Sequence, residues 1–162
     1  MKGNESGSGL LGLVAAVINL LGQVPEALLL LAGRIAVGSV FLKSGLTKID
    51  IETWQIAPTT FDLFREEYRV PVLSPELAAY LGTFTELTMP FLLFFGLGAR
   101  AGAGVLLGMT FVIQVFVYPE SWSDHLLWAT ILLSIISRGP GLLSADHVLA
   151  GLFFERQVRY AR

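Results

Sequence analysis

The sequence contains no cysteine, which excludes disulfide bonds, thiol redox catalysis, thiolate metal sites and haem attachment through Cys-x-x-Cys-His. It also lacks a glycine-rich phosphate loop, a Ser/His/Asp arrangement, an HExxH motif and a carboxylate-rich metal motif. We therefore predict no metal site, no catalytic residue and no covalently bound cofactor in this chain.

Charged residues are scarce. They make up 15% of the 162 residues, whereas soluble domains carry about 25%. With 54% hydrophobic residues and a mean hydropathy of +0.67, the chain is predicted to be a membrane protein. The net charge of −2 gives no reason to expect binding to nucleic acid. The expected partners are the lipid bilayer and either another protein subunit or a second copy of the chain.

Apolar stretches predict an all-α membrane protein, a four-transmembrane-helix bundle with amphipathic interfacial helices at both ends. At about 20 residues per crossing, the predicted spans are residues 27–49, 75–97, 99–118 and 122–138. They form a domain of residues 25–142. Residues 1–24 are a polar tail with a short apolar helix, and residues 143–162 are an amphipathic cytoplasmic helix.

Two details of this arrangement depend on particular proline and glycine residues. In a competing register, Leu10–Ala32 is the first span, but Pro25 fits better as the opening residue of a new helix. In the third span, Gly104 and Gly108 form a small-xxx-small pair that is suited to close helix packing.

The distribution of lysine and arginine predicts the orientation. The side with both termini carries six of them, Lys2, Arg100, Arg138, Arg156, Arg159 and Arg162. The other side carries three, Lys48, Arg65 and Arg69, and is strongly acidic. The positive-inside rule then places both termini in the cytoplasm.

Ionisable residues inside the predicted spans are the main functional signal, because a charge at bilayer depth usually faces the protein interior. In the first span, Arg34 and Lys48 share one side of the helix and Lys43 lies nearly opposite Arg34. Glu86 is central in the second span, and Pro90 cannot donate a hydrogen bond to its carbonyl group. Glu86 is either a partner in a structural ion pair or a protonatable group of a binding site.

Depth along the helices indicates which of these groups could meet. Gln114 and His125 fall in the outer half of the bilayer, as Lys43 does, so these residues could line an outward-opening pocket with Glu86. Arg34 would be the inner partner of Glu86 or of a backbone carbonyl. The candidate ligand-binding residues are Arg34, Lys43, Lys48, Glu86, Gln114 and His125.

Three of these candidates, Lys43, Gln114 and His125, also have a purely structural interpretation. Lys43 could reach the membrane interface with its long side chain. Gln114 could make one interhelical hydrogen bond. His125 could relay protons, or it could only bond to Asp124 or Trp128.

Several motifs, in this order and spacing, resemble the DoxX family of small four-helix bacterial membrane proteins. They are Arg34 with Gly38, Phe41, Gly45 and Lys48; PELAAY (75–80) with Glu86 and Pro90; GLGAR (96–100); YPESW (118–122); DHLLWA (124–129); RGPG (138–141); and LSAD (143–146). The resemblance covers roughly Gly33 to Leu149. The family is named after a membrane subunit of a thiosulfate:quinone oxidoreductase, and other members are linked to membrane oxidoreductase complexes, oxidative-stress defence and copper-handling gene clusters.

The resemblance implies a subunit in the bacterial cytoplasmic (inner) membrane that is associated with an oxidoreductase system. We expect it to bind a quinone or a similar lipid-soluble ligand, with Lys43 or His125 donating to a carbonyl oxygen and Glu86 helping to supply protons. Without a redox cofactor of its own, the chain would need an external source of electrons. The alternative is a non-catalytic assembly subunit whose buried charges only stabilise the bundle. A conduit for small solutes or metal ions is a third, less favoured hypothesis.

Overall fold

Helices dominate the chain. A computed structural model describes residues 6–160, with side chains for residues 9 and 11–152. In this part of the chain the α-helices are α1 (Ser6–Gly22), α2 (Glu26–Leu46), α3 (Pro58–Leu63), α4 (Pro75–Phe95), α5 (Ala99–Val112), α6 (Trp122–Arg138) and α7 (Ala145–Tyr160). The competing register is wrong, because α1 ends at Gly22 and α2 begins directly after Pro25.

The helices α2, α4, α5 and α6 pack in a ring, in which α2 contacts α4, α4 contacts α5, α5 contacts α6 and α6 returns to α2. Their inward sides share one apolar core. The buried members of this core are Val37, Phe41, Leu93, Ala99, Ala103, Leu106, Leu132 and Ile135. The apolar stripe of each helix is thus buried against its two neighbours in the ring.

Three helices of the described chain are long and apolar enough to cross a membrane. They are Glu26–Leu46, Pro75–Phe95 and Ala99–Val117, with mean hydropathies of 1.6, 1.3 and 1.7. The third combines α5 with a π-helical turn, Ile113–Val117. The protein is therefore a multi-pass, all-α membrane protein, in agreement with the sequence prediction at this level. The helix α6 has 17 residues and packs in the same ring.

The first span ends earlier than residue 49, because α2 stops at Leu46 and the chain turns back. Ile49–Asp50 (β1) pairs antiparallel with Gln55–Ile56 (β2), and α3 follows. A π-helical turn, Phe64–Tyr68, continues α3 and ends at Arg69 in the left-handed conformation. Phe64 is buried against α4, where Gly82 leaves room for its ring. Residues 49–68 cover one end of the helix ring, and we call them the covering segment.

The two terminal helices differ in how they meet the ring. The described side chains of α1 are exposed along its whole length. The start of α7 is fixed, because Ser144 Oγ accepts a hydrogen bond from the His147 N–H at 3.2 Å. Ser144 thus caps α7, as serine residues often cap helices. The side chains of residues 153–162, with Arg156, Arg159 and Arg162, lie outside the described part of the chain.

Glycine does allow close helix approach, but at other positions than the sequence pattern indicated. A Cβ atom at Gly104 or Gly108 would meet no atom within 4 Å in this chain. A Cβ atom at Gly38 would lie 2.6 Å from the Phe94 ring. The prediction for Gly104 and Gly108 is therefore wrong within this chain, because other glycines make the close contacts, among them Gly38 on α2 and Gly102 on α5.

Candidate functional site

A buried ion pair joins α2 to α4. Lys48 Nζ lies 2.5 Å from Glu86 Oε2, and the two residues are 4% and 3% exposed. Ser44 completes the group, because its hydroxyl donates to Glu86 Oε1 at 3.0 Å and accepts from Lys48 Nζ at 2.9 Å. Ser44 and Lys48 are one helical turn apart, which places both side chains on the side that faces α4. Each buried charge therefore has an opposite charge and a hydroxyl group as partners.

The turn after α2 holds Lys48 in this position. Its N–H donates to the Gly45 carbonyl at 3.0 Å, and its own carbonyl accepts from the Ala57 N–H at 3.0 Å. The Thr60 hydroxyl also donates to that carbonyl, at 2.8 Å. The segment that covers the end of the ring thus fixes the backbone of Lys48.

The ion pair lines a cavity of about 300 Å³ between α2, α4, α5, α6 and the covering segment. The volume lies at the lower end of the range of small-molecule sites. The wall is mostly apolar and includes Val40, Phe41, Leu81, Met109, Val112, Val117 and Trp128. The polar lining residues are Ser44, Lys48, Tyr68, Thr85, Glu86, Tyr118 and His125. An apolar cavity with a few convergent polar groups is typical of a ligand-binding site.

Two tyrosines close the cavity where the covering segment meets the end of α5. The Tyr68 and Tyr118 rings pack edge to face with centroids 5.6 Å apart, and the Tyr118 hydroxyl donates to Glu67 Oε1. Tyr68 is the last residue of one π-helical turn and Tyr118 directly follows the other, and such turns are frequent at functional sites. Burial raises the pKa of the Tyr68 hydroxyl above its usual value, so that group stays protonated near neutral pH.

His125 is held on the opposite wall, at the start of α6. Its Nδ1 lies 2.7 Å from Gln114 Oε1, and Gln114 Nε2 donates to the Pro119 carbonyl at 2.9 Å. The ring packs edge to face on Trp128, with centroids 5.1 Å apart. Gln114 and Trp128 therefore fix both the rotation and the tilt of the imidazole.

Arg34 belongs to a second polar group at the other end of α2. It is fully buried, and its guanidinium donates to the Leu93 carbonyl at 3.0 Å and to the Leu143 carbonyl. Asp146 lies nearby, where its carboxylate accepts from the Gly98 N–H at 2.8 Å and the Ala99 N–H at 3.3 Å, at the start of α5. This group fastens α7 to the turn between α4 and α5.

The structure brings together only some of the residues expected in one pocket. Glu86, Lys48 and His125 line the same cavity, and Gln114 stands behind His125 without lining it. The placement of Lys43 in the pocket is wrong, because Lys43 is exposed on the outer side of α2. The sequence leaves two possible partners for Arg34, Glu86 and a backbone carbonyl. Arg34 binds backbone carbonyls and does not pair with Glu86.

Sequence reasoning missed Ser44, Tyr68 and Tyr118 as cavity residues. Ser44 could have been found from its spacing of four residues before Lys48, which places it on the same helix side. Tyr68 and Tyr118 are distant in sequence, and no local pattern indicates their contact. Within the described side chains, no three histidine, aspartate or glutamate residues come together as a metal centre requires.

Comparison with known proteins gives one result. The DoxX family model matches residues 29–119, which contain α4, α5, the covering segment and all but the first three residues of α2. The match includes Ser44, Lys48 and Glu86 and ends before His125 and α6. No curated protein and no solved structure matches the chain. Because the matched residues are more than half of the sequence, the chain belongs to the DoxX family.

Proposed function

We propose that the protein is a membrane subunit of an oxidoreductase system, and that its cavity binds the headgroup of a quinone or a similar lipid-soluble ligand. In this proposal α6 is the fourth crossing beside the three longer helices. Both termini face the cytoplasm of a bacterial inner membrane, as the excess of lysine and arginine on that side favours. The terminal helices α1 and α7 lie at the interface.

The observation that carries the proposal is the ion pair of Lys48 and Glu86 in the wall of an otherwise apolar cavity. The apolar wall suits a ring and the start of its hydrocarbon tail. Lys48 Nζ has three hydrogens, of which two go to Ser44 and Glu86. The third can donate to a ligand oxygen, and the Glu86 carboxylate can exchange a proton with it. An external partner would supply or accept the electrons.

The first test is purification in mild detergent, followed by solvent extraction and mass spectrometry for bound quinone. We expect near-stoichiometric quinone in the native protein and much less in Glu86→Gln. Glu52→Gln is the matched control, because Glu52 is exposed in the turn between β1 and β2. Native protein without quinone, or equal amounts in native protein and Glu86→Gln, would contradict the proposal.

Loss of folding in Glu86→Gln could imitate loss of the site, so a second variant separates the two effects. The charge-reversed double variant, Lys48→Glu with Glu86→Lys, keeps an ion pair between α2 and α4 but exchanges the positions of donor and acceptor. We expect it to elute as the native protein does in gel filtration and to carry less quinone. Full retention of quinone would show that the ion pair acts only as a helix contact.

The alternative function is that of a scaffold, and one observation favours it. The described side chains of α1 are exposed, including Leu11, Leu13, Ile18 and Leu21, so this apolar helix is available to another protein or to lipid. A scaffold would need Lys48 and Glu86 only to hold two helices together. A hydrophobic carbodiimide distinguishes the two functions, because it should label Glu86 in an accessible site and leave it unlabelled in a closed ion pair. A partner that co-purifies in fixed ratio without quinone would support the scaffold.

A further inference from the structure

The hydrogen bonds around His125 determine which ring nitrogen carries the proton. The Pro119 carbonyl can only accept a hydrogen bond, so the end of the Gln114 side chain that lies 2.9 Å from it must be the NH₂ group. The other end, 2.7 Å from His125 Nδ1, is therefore the amide oxygen. Since that oxygen can only accept, Nδ1 must carry a hydrogen.

The other ring nitrogen then has the opposite property. In a neutral imidazole with hydrogen on Nδ1, Nε2 carries a lone pair and accepts hydrogen bonds. His125 is 4% exposed and its Nδ1 partner is an amide rather than a carboxylate, which favours the neutral form. Among the described residues, the contact with Gln114 is the one hydrogen bond of the ring, and it uses Nδ1 and not Nε2.

His125 lines the cavity and Gln114 does not. The ring edge with Nδ1 points towards Gln114, which leaves the opposite edge, with Nε2, as the one free to meet a ligand in the cavity. We propose that His125 Nε2 is the acceptor for a ligand hydroxyl group, and that the cavity prefers the hydroquinone form of its ligand to the quinone form. This inference rests on the function proposed above.

The preference for hydroquinone follows from the number of hydrogen-bond donors on each form of the ligand. A quinone has two carbonyl oxygens and no hydrogen to give, so it would leave Nε2 unpaired or place two lone pairs against each other. A hydroquinone can donate one hydroxyl to Nε2 and accept from Lys48 Nζ at the other. Sequence reasoning expected Lys43 or His125 to donate to a ligand carbonyl, whereas the contact with Gln114 makes His125 an acceptor in this proposal.

The test is isothermal titration calorimetry on the purified full-length protein under argon. The two probes are a 1,4-benzoquinone with a short alkyl chain and its purified hydroquinone. One net hydrogen bond predicts that the native protein binds the hydroquinone about five- to tenfold more tightly. In His125→Phe the two affinities should become nearly equal. The matched control is His147→Phe, because His147 lies on α7 outside the cavity, and it should keep the native preference.

A second variant keeps the ring in place. Gln114→Leu removes the amide that holds hydrogen on Nδ1, so the imidazole can move its proton to Nε2 and donate to a carbonyl. Its affinity for the quinone should rise and the preference should shrink. If gel filtration shows that His125→Phe does not fold, the preference measured in Gln114→Leu tests the inference instead.

Several outcomes would overturn the inference. They are equal binding of both probes by native protein, tighter binding of the quinone, and an unchanged preference in Gln114→Leu. These outcomes leave the proposed function standing, because a ligand still binds. If native protein binds neither probe, the inference and the quinone-binding function fail together.

Discussion

Gly45 of α2 lies directly against the backbone of Glu86 in α4. A Cβ atom at Gly45 would stand 3.0 Å from Glu86 Cβ and 3.1 Å from the Glu86 carbonyl carbon. The absence of a side chain at Gly45 therefore lets α2 approach α4 closely at the level of the ion pair. Because Lys48 follows three residues later, this close approach brings its ammonium group within reach of the carboxylate.

Gly45→Ala should destabilise the protein. The added methyl group meets backbone and Cβ atoms that cannot rotate away, so we expect a loss of about 1–3 kcal/mol. Unfolding by SDS in mixed micelles, followed by circular dichroism, measures it. The matched control is Gly108→Ala, where a Cβ atom meets nothing within 4 Å, and it should change stability little. Equal effects of the two substitutions would contradict the packing argument.

Removing either partner of the ion pair should cost more than removing both. Lys48→Met or Glu86→Gln leaves a buried group without its partner, and such changes typically cost about 3–5 kcal/mol. In the variant that carries both Lys48→Met and Glu86→Gln no buried charge remains, so its loss should be smaller than either single loss and well below their sum. The same SDS titration gives all values of this cycle. Strict additivity would show that the two side chains do not interact.

Tyr118→Phe should make Glu86 more accessible. It removes the hydrogen bond to Glu67 that holds the covering segment against α5. If this bond contributes about 1 kcal/mol, its loss would raise the population in which the covering segment is detached about fivefold. The rate of carbodiimide labelling of Glu86 should rise by the same factor. Tyr80→Phe is the control, because Tyr80 lies exposed on α4 outside the cavity wall. Unchanged labelling in Tyr118→Phe would exclude Tyr118 as a restraint on access.

Arg34→Lys should loosen the junction between α4 and α7. Lysine has no planar fork, so it cannot keep the geometry that bonds the Leu93 and Leu143 carbonyls together. Hydrogen exchange should become faster at residues 143–148, by the equivalent of about 1.5–3 kcal/mol. Arg138→Lys is the control, because its ion pair with Glu26 is exposed and contributes little. Equal exchange in both variants would contradict the role of Arg34.

The sequence predicted the helices well, because long apolar stretches with proline at their starts have few alternative structures. It predicted the buried charges less well. Depth alone placed Lys43 with Glu86, but the side of the helix decides. The buried side of α2 carries Arg34 and Phe41, and Lys48 follows on the same side in the turn after the helix. The early end of α2 depends on the pairing of β1 with β2, and two-residue strands leave no periodic signal.

Contacts between distant segments were beyond sequence reasoning. The bond between Tyr118 and Glu67 depends on how two π-helical turns meet. Gln114 and His125 were placed at a similar depth from sequence, but their direct bond depends on the bend of the chain at Pro119. The glycine pattern at Gly104 and Gly108 is typical of helix contacts, whereas a close contact forms at Gly45, where the partner is a backbone.

The position of Arg34 has a consequence for biosynthesis. Its guanidinium is buried by groups that follow 59 and 109 residues later in the chain. While the ribosome is still making the later helices, α2 must carry this cation without its final partners. Water, lipid phosphate or the insertion machinery has to solvate it during that interval. Full pairing of Arg34 therefore has to wait for Leu143, and a chain that stalls before it would leave this buried cation with only its Leu93 partner.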